Sequence, residues 1–251
     1  MKNLLKLLLL SLIVSFTACK KDSDEKNVAH DNKLATGASA HDYLSADAFT
    51  RIDIEILYSP DYVPPQAALN IMKSFLSEYC HKPDGINIST RQLDDAPLNG
   101  YSLDDVRGIE DKHRRVFNSG KTLGMFVFIA GGDYVEDSDT LFTLGIAYRN
   151  TSCVIYQKTI KDRTGGIGSP SEATVTGAIL NHEVGHLLGL VNIGSNMVKD
   201  HEDSAHANHC NNEDCLMYWA LNSANSMGLF GGSIPELDAN CEADLKANGG
   251  K

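Results

Sequence analysis

The hydrophobic pattern of this 251-residue chain switches repeatedly between a period of two and a helical period. Ile52, Ile54 and Ile56 alternate with acidic residues, which is typical of a β-strand. Residues 66–79 carry apolar side chains at helical spacing and predict an amphipathic helix. By the same criteria the pattern predicts further strands at 86–88, 123–130, 141–148 and 152–157, and a further helix at 102–117.

Alternating strands and helices, followed by a pair of strands, indicate an α/β fold, or α+β in the broader sense. Residues 123–130 are almost wholly apolar, as expected of a central strand that is buried on both faces. The two strands that follow are joined by the short segment 149–151, so they should pair antiparallel. We therefore predict a twisted, mostly parallel sheet with an antiparallel edge strand.

A helix start is marked at residues 169–172, where Ser169 can cap the helix and a proline can occupy its first turn. His182 and His186 then lie on the same side of the helix as the apolar residues before them. Gly189 follows, as is common where a helix ends. The two histidines therefore lie within a helix that has its own start and stop signals.

Two histidines four residues apart on a helix direct their imidazoles at the same point, because their side chains lie about 40° apart around the axis. A catalytic zinc accepts such nitrogens, takes a third protein ligand and leaves a position for water. Glu183, next to the first histidine, can reach that water as a general base. We therefore expect His182 and His186 to bind zinc and Glu183 to be catalytic.

Residues 182–189 also match the first eight positions of H-E-x-x-H-x-x-G-x-x-H, the signature of the metzincin clan of zinc peptidases, which the chain resembles. The position of the third histidine holds Asn192, a poor zinc ligand. Residues 209–217 read H-C-x4-C-x-M, and in this string the chain is most similar to the archaemetzincins. The resemblance implies a metzincin-like fold with an active-site helix, a methionine turn and a C-terminal helix.

In archaemetzincins the third zinc-binding histidine opens the H-C-x4-C-x-M string, so the resemblance implies that His209 is the third ligand here. An insertion of roughly residues 192–208 would separate this ligand from the helix. Met217 would then form the methionine turn beneath the metal. His201 and His206 lie within the insertion and are alternative third ligands.

Archaemetzincins complete a second, structural zinc site with cysteines, and the comparable residues of this chain are Cys210, Cys215, Asp238 and Cys241. One sulfur is thus replaced by a carboxylate, which zinc also accepts. A disulfide among these cysteines is the alternative in an oxidising compartment. The resemblance therefore implies one catalytic zinc and leaves a second, structural zinc open.

The N-terminus carries the apolar run 7–14 after a short basic region, as in an export signal that is too short for a membrane-spanning helix. It ends at Cys19 in a sequence that resembles the lipobox of bacterial lipoproteins, so Cys19 should be lipidated. Residues 20–48 are polar and rich in small side chains, which predicts a flexible linker. We therefore expect a signal peptide at 1–19, this linker, and a zinc metallopeptidase domain at 49–251. The whole would be an exported bacterial lipoprotein that faces the periplasm or the cell surface.

The formal net charge of -11 argues against nucleic-acid binding, because contacts with phosphates need basic side chains. The expected partners are a peptide or protein substrate and a membrane, reached through the lipid on Cys19, and we expect a monomer. The expected function is that of a zinc metalloendopeptidase with Glu183 as the general base. Two alternatives stay open: a metal-binding lipoprotein that binds peptides or surface ligands without cleaving them, and a zinc hydrolase with a non-peptide substrate.

Overall fold

A computed structural model of the chain describes residues 32–138, 141–166, 169–222 and 234–251. The strands in these residues are β1 (Arg51–Tyr58), β2 (Ile86–Gln92), β3 (Gly100–Tyr101), β4 (Thr122–Ala130), β5 (Asp133–Tyr134), β6 (Gly145–Arg149) and β7 (Ser152–Tyr156). Five of them form one sheet in the order β2-β1-β4-β7-β6, and β3 pairs with β5. Strand β6 runs antiparallel to β7, whereas the other neighbouring strands of the main sheet are parallel.

Helices connect these strands and cover the sheet. They are α1 (Ala40–Leu44), α2 (Gln66–Tyr79), α3 (Leu103–His113), α4 (Gln157–Arg163), α5 (Glu172–Leu187) and α6 (Ala239–Ala247), with a short 3-10 helix at Trp219–Asn222. The predicted α/β class, the mostly parallel sheet, the antiparallel edge strand and the C-terminal helix are therefore confirmed.

The central strand β4 is apolar throughout because both of its faces are covered. Met125 and Val127 belong to the larger core cluster, which includes side chains of α2 and α5. Phe126 and Phe128 point to the opposite face, as alternate residues of a strand do, and pack with Val106 of α3. The larger cluster holds α5 against the sheet, and this contact fixes the position of the predicted zinc-binding helix.

Helix α5 begins later than the sequence predicts. Ser171, and not Ser169, is its N-cap, and the Ser171 hydroxyl accepts a hydrogen bond from the backbone N–H of Thr174 at 3.1 Å. Both serines satisfy the local capping pattern, so the sequence could not distinguish between them. At the other end Gly189 has a φ of 86°, and its left-handed conformation confirms the predicted end of the helix.

Residues 32–48, which were predicted to belong to a flexible linker, are folded onto the domain in the structure. Tyr43 and Leu44 of α1 are fully buried in the larger core cluster. The linker prediction is therefore wrong for this part, because α1 packs these two apolar side chains into the core. Cys19 and the rest of residues 1–31 lie outside the described residues, and their assignment stays a prediction. Among the described residues, no helix has the length and hydrophobicity needed to span a bilayer.

The burial of α1 can be tested by shortening its core side chain. Leu44→Ala should lower the free energy of unfolding by about 2–5 kcal/mol, because it leaves a cavity in the core. The control is Leu98→Ala, at a side chain that is 46% exposed, which should change stability by no more than about 0.5 kcal/mol. Urea denaturation followed by circular dichroism measures both. Equal effects of the two substitutions would show that α1 is not part of the core.

Candidate metal centre

Three histidines from two parts of the chain meet at one point. His182 and His186 come from α5 and His209 from the loop that follows it, and one ring nitrogen of each lies within 4.8 Å of the others. Their ring centroids are separated by 4.9, 5.4 and 5.1 Å. Nitrogens this close can bind a single ion, since zinc takes imidazole ligands at about 2.0–2.1 Å.

Each of the three rings is oriented by a backbone carbonyl that its Nδ1 contacts. The distances are 2.8 Å from His182 to Leu216, 2.9 Å from His186 to Leu190, and 3.0 Å from His209 to Ala207. Since a carbonyl can only accept, Nδ1 carries the hydrogen and Nε2 keeps its lone pair. The Nε2 atom of His182 is buried without a hydrogen-bond partner, which is the arrangement that a bound cation would satisfy.

The three imidazoles are neutral at neutral pH. Burial is the main cause that lowers the pKa of His182 well below its usual range, and the neighbouring histidines act in the same direction. Burial likewise lowers the pKa of His186 to about 3 and lowers the pKa of His209. Because metals bind the unprotonated ring, the histidines are held in the form that zinc requires. The residues present therefore fit a zinc ion.

Glu183 lies beside this point and is almost completely buried, with 1% of its surface exposed. Burial raises the pKa of its carboxyl to about 8, and a hydrogen bond from the backbone of Ala147 acts in the opposite direction. A cation bound by the histidines would favour the carboxylate and lower this pKa again. Strand β6 packs closely on the carboxyl, since a Cβ atom on Gly145 would lie 2.9 Å from Oε1 of Glu183.

Met217 lies against the helix between the two histidines of α5. It is fully buried, and a Cβ atom on Gly185 would overlap its sulfur. The backbone carbonyl of Met217 accepts a hydrogen bond from the N–H of Cys210 at 2.8 Å. The structure therefore places Met217 directly against the part of α5 that carries the candidate ligands, and its assignment to a methionine turn stays a prediction.

Neither of the two alternative third ligands joins the histidines of α5. His201 is buried elsewhere, with Nε2 2.8 Å from Asp244 and Nδ1 3.4 Å from the sulfur of Cys210. His206 stacks on the ring of Trp219, with 3.9 Å between the centroids. Of the three candidates that the sequence offered, the structure brings His209 to the site.

A second group of metal-ligating side chains lies next to the first along the chain. It consists of His201, Cys210, Asp238 and Cys241, whose ligand atoms all lie within 4.8 Å of one another. The set predicted from the sequence had Cys215 in place of His201. The sequence could not pair His201 with these cysteines, because His201 lies in the inserted loop, whose path has no local signal.

Cys215 nevertheless remains close, with its sulfur 3.6 Å from that of Cys241. This is too long for a disulfide bond of about 2.05 Å and close to the roughly 3.8 Å between two thiolates on one tetrahedral zinc. All five cysteines of the described residues have free thiols. Hydrogen bonds from Cys210 and Cys241 lower the pKa of the Cys215 thiol, so Cys215 loses its proton more readily than the other two cysteines.

The candidate catalytic residues open into a cleft of about 440 Å³. Its walls are formed by the following residues: Thr36, Thr143, Gly145, Ile146, Ala147, Glu183, His186, Ile193, His206, Ala207, Asn208, His209 and Trp219. Thr36 belongs to the predicted linker and has no local feature that would have assigned it to the cleft.

Comparisons with known proteins identify the fold. Archaemetzincin from Methanopyrus kandleri superimposes with a TM-score of 0.52 at 15% sequence identity, covering 79% of this chain and 96% of that one. Metalloproteinase-II from Bacteroides fragilis gives a TM-score of 0.45 at 12% identity, covering 81% of this chain and 54% of that one. No protein-family model and no curated protein sequence matches the chain. The superposition on archaemetzincin shows that the chain has a metzincin-like fold, as its sequence motifs implied.

Metal content should follow the two groups of ligands. We expect the intact protein to retain two equivalents of zinc after dialysis, one for each group. His209→Ala and Cys241→Ser should each lose one equivalent of zinc. Residues that only orient a ligand already change metal affinity by roughly 10–100-fold when mutated, and loss of a direct ligand should weaken binding further. His206→Ala and Cys80→Ser are the matched controls and should retain both. Plasma mass spectrometry gives the counts, and retention of both equivalents by His209→Ala would place the third ligand elsewhere.

Proposed function

We propose that this protein is a zinc-dependent metallopeptidase in which Glu183 is the general base. The observation that supports the proposal is the convergence of three neutral imidazoles on one point beside a buried carboxyl. That point lies next to β6, the edge strand of the sheet, to which an extended peptide could bind. A metal site, a base and a peptide-binding edge are the parts that peptide hydrolysis requires.

The chemistry is divided between the metal and the carboxyl. Zinc, when held by His182, His186 and His209, supplies Lewis-acid polarisation of the scissile carbonyl and of water. Glu183 takes a proton from the attacking water and delivers it to the leaving amine. The hydrogen bond from Ala147 and the close packing at Gly145 would hold the carboxyl in one position, within reach of both the water and the leaving amine.

Strand β6 provides the edge for the substrate. The N–H of Tyr156 in β7 donates to the carbonyl of Leu144 at 2.9 Å, so residue 144 directs its backbone groups toward β7. Because the direction alternates along an antiparallel strand, Gly145 and Ala147 direct theirs outward. Both residues contact Glu183, so a peptide added to this edge would pass beside the base. Ala147 itself offers no pairing group, because its N–H is bonded to Glu183 and its carbonyl to Thr36.

A second zinc is part of the proposal, with a structural role. It would be bound by His201, Cys210, Asp238 and Cys241, with Cys215 close enough to compete as a ligand. Such an ion would attach α6 to the loop that carries His209. Export and lipidation at Cys19 remain predictions from the sequence.

Removing the base should slow hydrolysis strongly without removing the metal. Glu183→Gln keeps the shape of the side chain, and we expect kcat to fall by about 10²–10⁴-fold, the usual contribution of general acid–base catalysis. Zinc content should be unchanged, since Glu183 is not a ligand. The control is Glu78→Gln on the exposed face of α2, which should have no effect. Unchanged peptidase activity in Glu183→Gln would assign the base to another residue.

The close packing of β6 on the base gives a separate prediction. In Gly145→Ala the new methyl group would lie 2.8 Å from Ile179 and 2.9 Å from Glu183, so the carboxyl must move. We expect kcat to fall by about 10²-fold, which is the typical cost of a misplacement of 1 Å, with zinc content unchanged. Gly108→Ala on α3 adds the same methyl group in open space and serves as the control. Equal activities would mean that the position of Glu183 does not limit the reaction.

A further inference from the structure

The segment that precedes α1 crosses one end of the cleft. We call residues 34–37 the strap. On the side of β6, Thr36 Oγ1 donates to the carbonyl of Ala147 at 3.1 Å, and the carbonyl of Leu34 accepts from the N–H of Asn150 at 3.0 Å. On the opposite side, Gly37 packs so closely on the loop after α5 that a Cβ atom would overlap the Ile193 carbonyl. The strap therefore connects the two rims of the cleft.

Contacts on both sides of the strap hold it in place. Before it, Asn32 donates to the buried carboxylate of Glu110 at 3.2 Å, and the ammonium of Lys33 lies 2.8 Å from Asp111. After it, Ser39 accepts from the side chain of Asn150 at 2.9 Å, and α1 is buried in the core. Because opening the strap would break these contacts, it is a wall of the cleft and not a mobile end.

The strap limits how much of β6 a peptide can use. The outward positions Gly145 and Ala147 are two residues apart, which corresponds to about 7 Å of extended chain. The carbonyl of Ala147 is bonded to the strap, and so is the N–H of Asn150 just beyond the strand. The N–H of Ala147 is bonded to Glu183, so a peptide added to the edge can neither pair with Ala147 nor continue past it.

We infer that the strap closes one end of the cleft, so that the site hydrolyses short peptides and bonds close to a chain end rather than bonds within long chains. The inference rests on the proposed function and narrows its substrate class. Gly145 lies beside Glu183, and Ala147, two residues further, is held by the strap, so we expect about two substrate residues to fit on the closed side. We take the other end of the cleft, which Thr143 lines, to be the open one.

Two series of peptides with one common scissile bond test the inference. One series grows by single residues at the N-terminal side and the other at the C-terminal side, and kcat/KM is measured with the zinc-loaded protein. In one series kcat/KM should fall at least about tenfold once the extension exceeds two residues. A tenfold loss is the least that a poorly fitting group typically causes. The other series should show no fall, and the side that falls identifies the chain end that is recognised. No fall in either series would overturn the inference.

A variant that displaces the strap should remove the limit. In Gly37→Val the side chain would collide with the Ile193 backbone, so the strap cannot dock, and long peptides of the restricted series should be cleaved as well as short ones. Gly85→Val is the matched control, because Gly85 also has a positive φ but no atom within 4 Å of its Cβ position. It should keep the length limit. If Gly37→Val folds and the length limit persists, another wall of the cleft causes the limit and the inference is wrong. If Gly37→Val does not fold, the two peptide series measured with the wild-type protein decide.

Binding separates this inference from the proposed function. The same peptides, labelled for fluorescence anisotropy, are titrated into zinc-loaded Glu183→Gln, which should bind without cleaving. A length limit in binding, without hydrolysis by the wild-type protein, would support the strap and refute the peptidase proposal. Hydrolysis with no length limit would refute the strap alone. If no peptide is bound or cleaved, both proposals fail.

Discussion

The hydrogen bond from His182 Nδ1 to the Leu216 carbonyl, 2.8 Å long, sets how α5 and the loop around Met217 are placed against each other. Both residues are buried, so breaking this bond would leave each group without a partner at a cost of about 1–3 kcal/mol. The bond also decides which nitrogen of the ring keeps its lone pair. Because the other two histidines are held by carbonyls in the same way, the metal centre depends on the path of the backbone as much as on the ligands.

The loop that supplies His209 also supplies the second cluster. Cys210 forms bridge pairs with Glu202 on one side and Tyr218 on the other, so the backbone here is strand-like. Successive side chains of such a backbone point in opposite directions, and His209 and Cys210 accordingly belong to different groups of ligands. Asp238, which also caps α6, joins the second group. A fixed position for the ligands of either group therefore restrains the backbone segment that carries both His209 and Cys210. Each candidate site thus helps to hold the other in place.

The N-terminal segment shows how a polar composition can conceal a structural element. Residues 20–48 read as a linker because small and polar side chains dominate, and a helix of five residues is too short to show a period. In the structure, buried Lys82 donates hydrogen bonds to the backbone carbonyls of Asp42, Ser45 and Phe49 and so fixes the segment to the domain. Thr36, earlier in the same segment, lines the cleft. Long-range contacts, and not composition, therefore decide where the domain begins.

The sequence by itself determined the alternation of strands and helices and placed His182, Glu183 and His186 together on one helix. These features are local, since the period of hydrophobic positions and the spacing of four residues directly encode which side chains share a face. Only the tertiary structure decided among His201, His206 and His209, placed His201 beside the cysteines of the second cluster, and brought Thr36 to the cleft. Each of those outcomes depends on the path of a loop, which is set by contacts between residues far apart in the chain and leaves no periodic trace in the sequence.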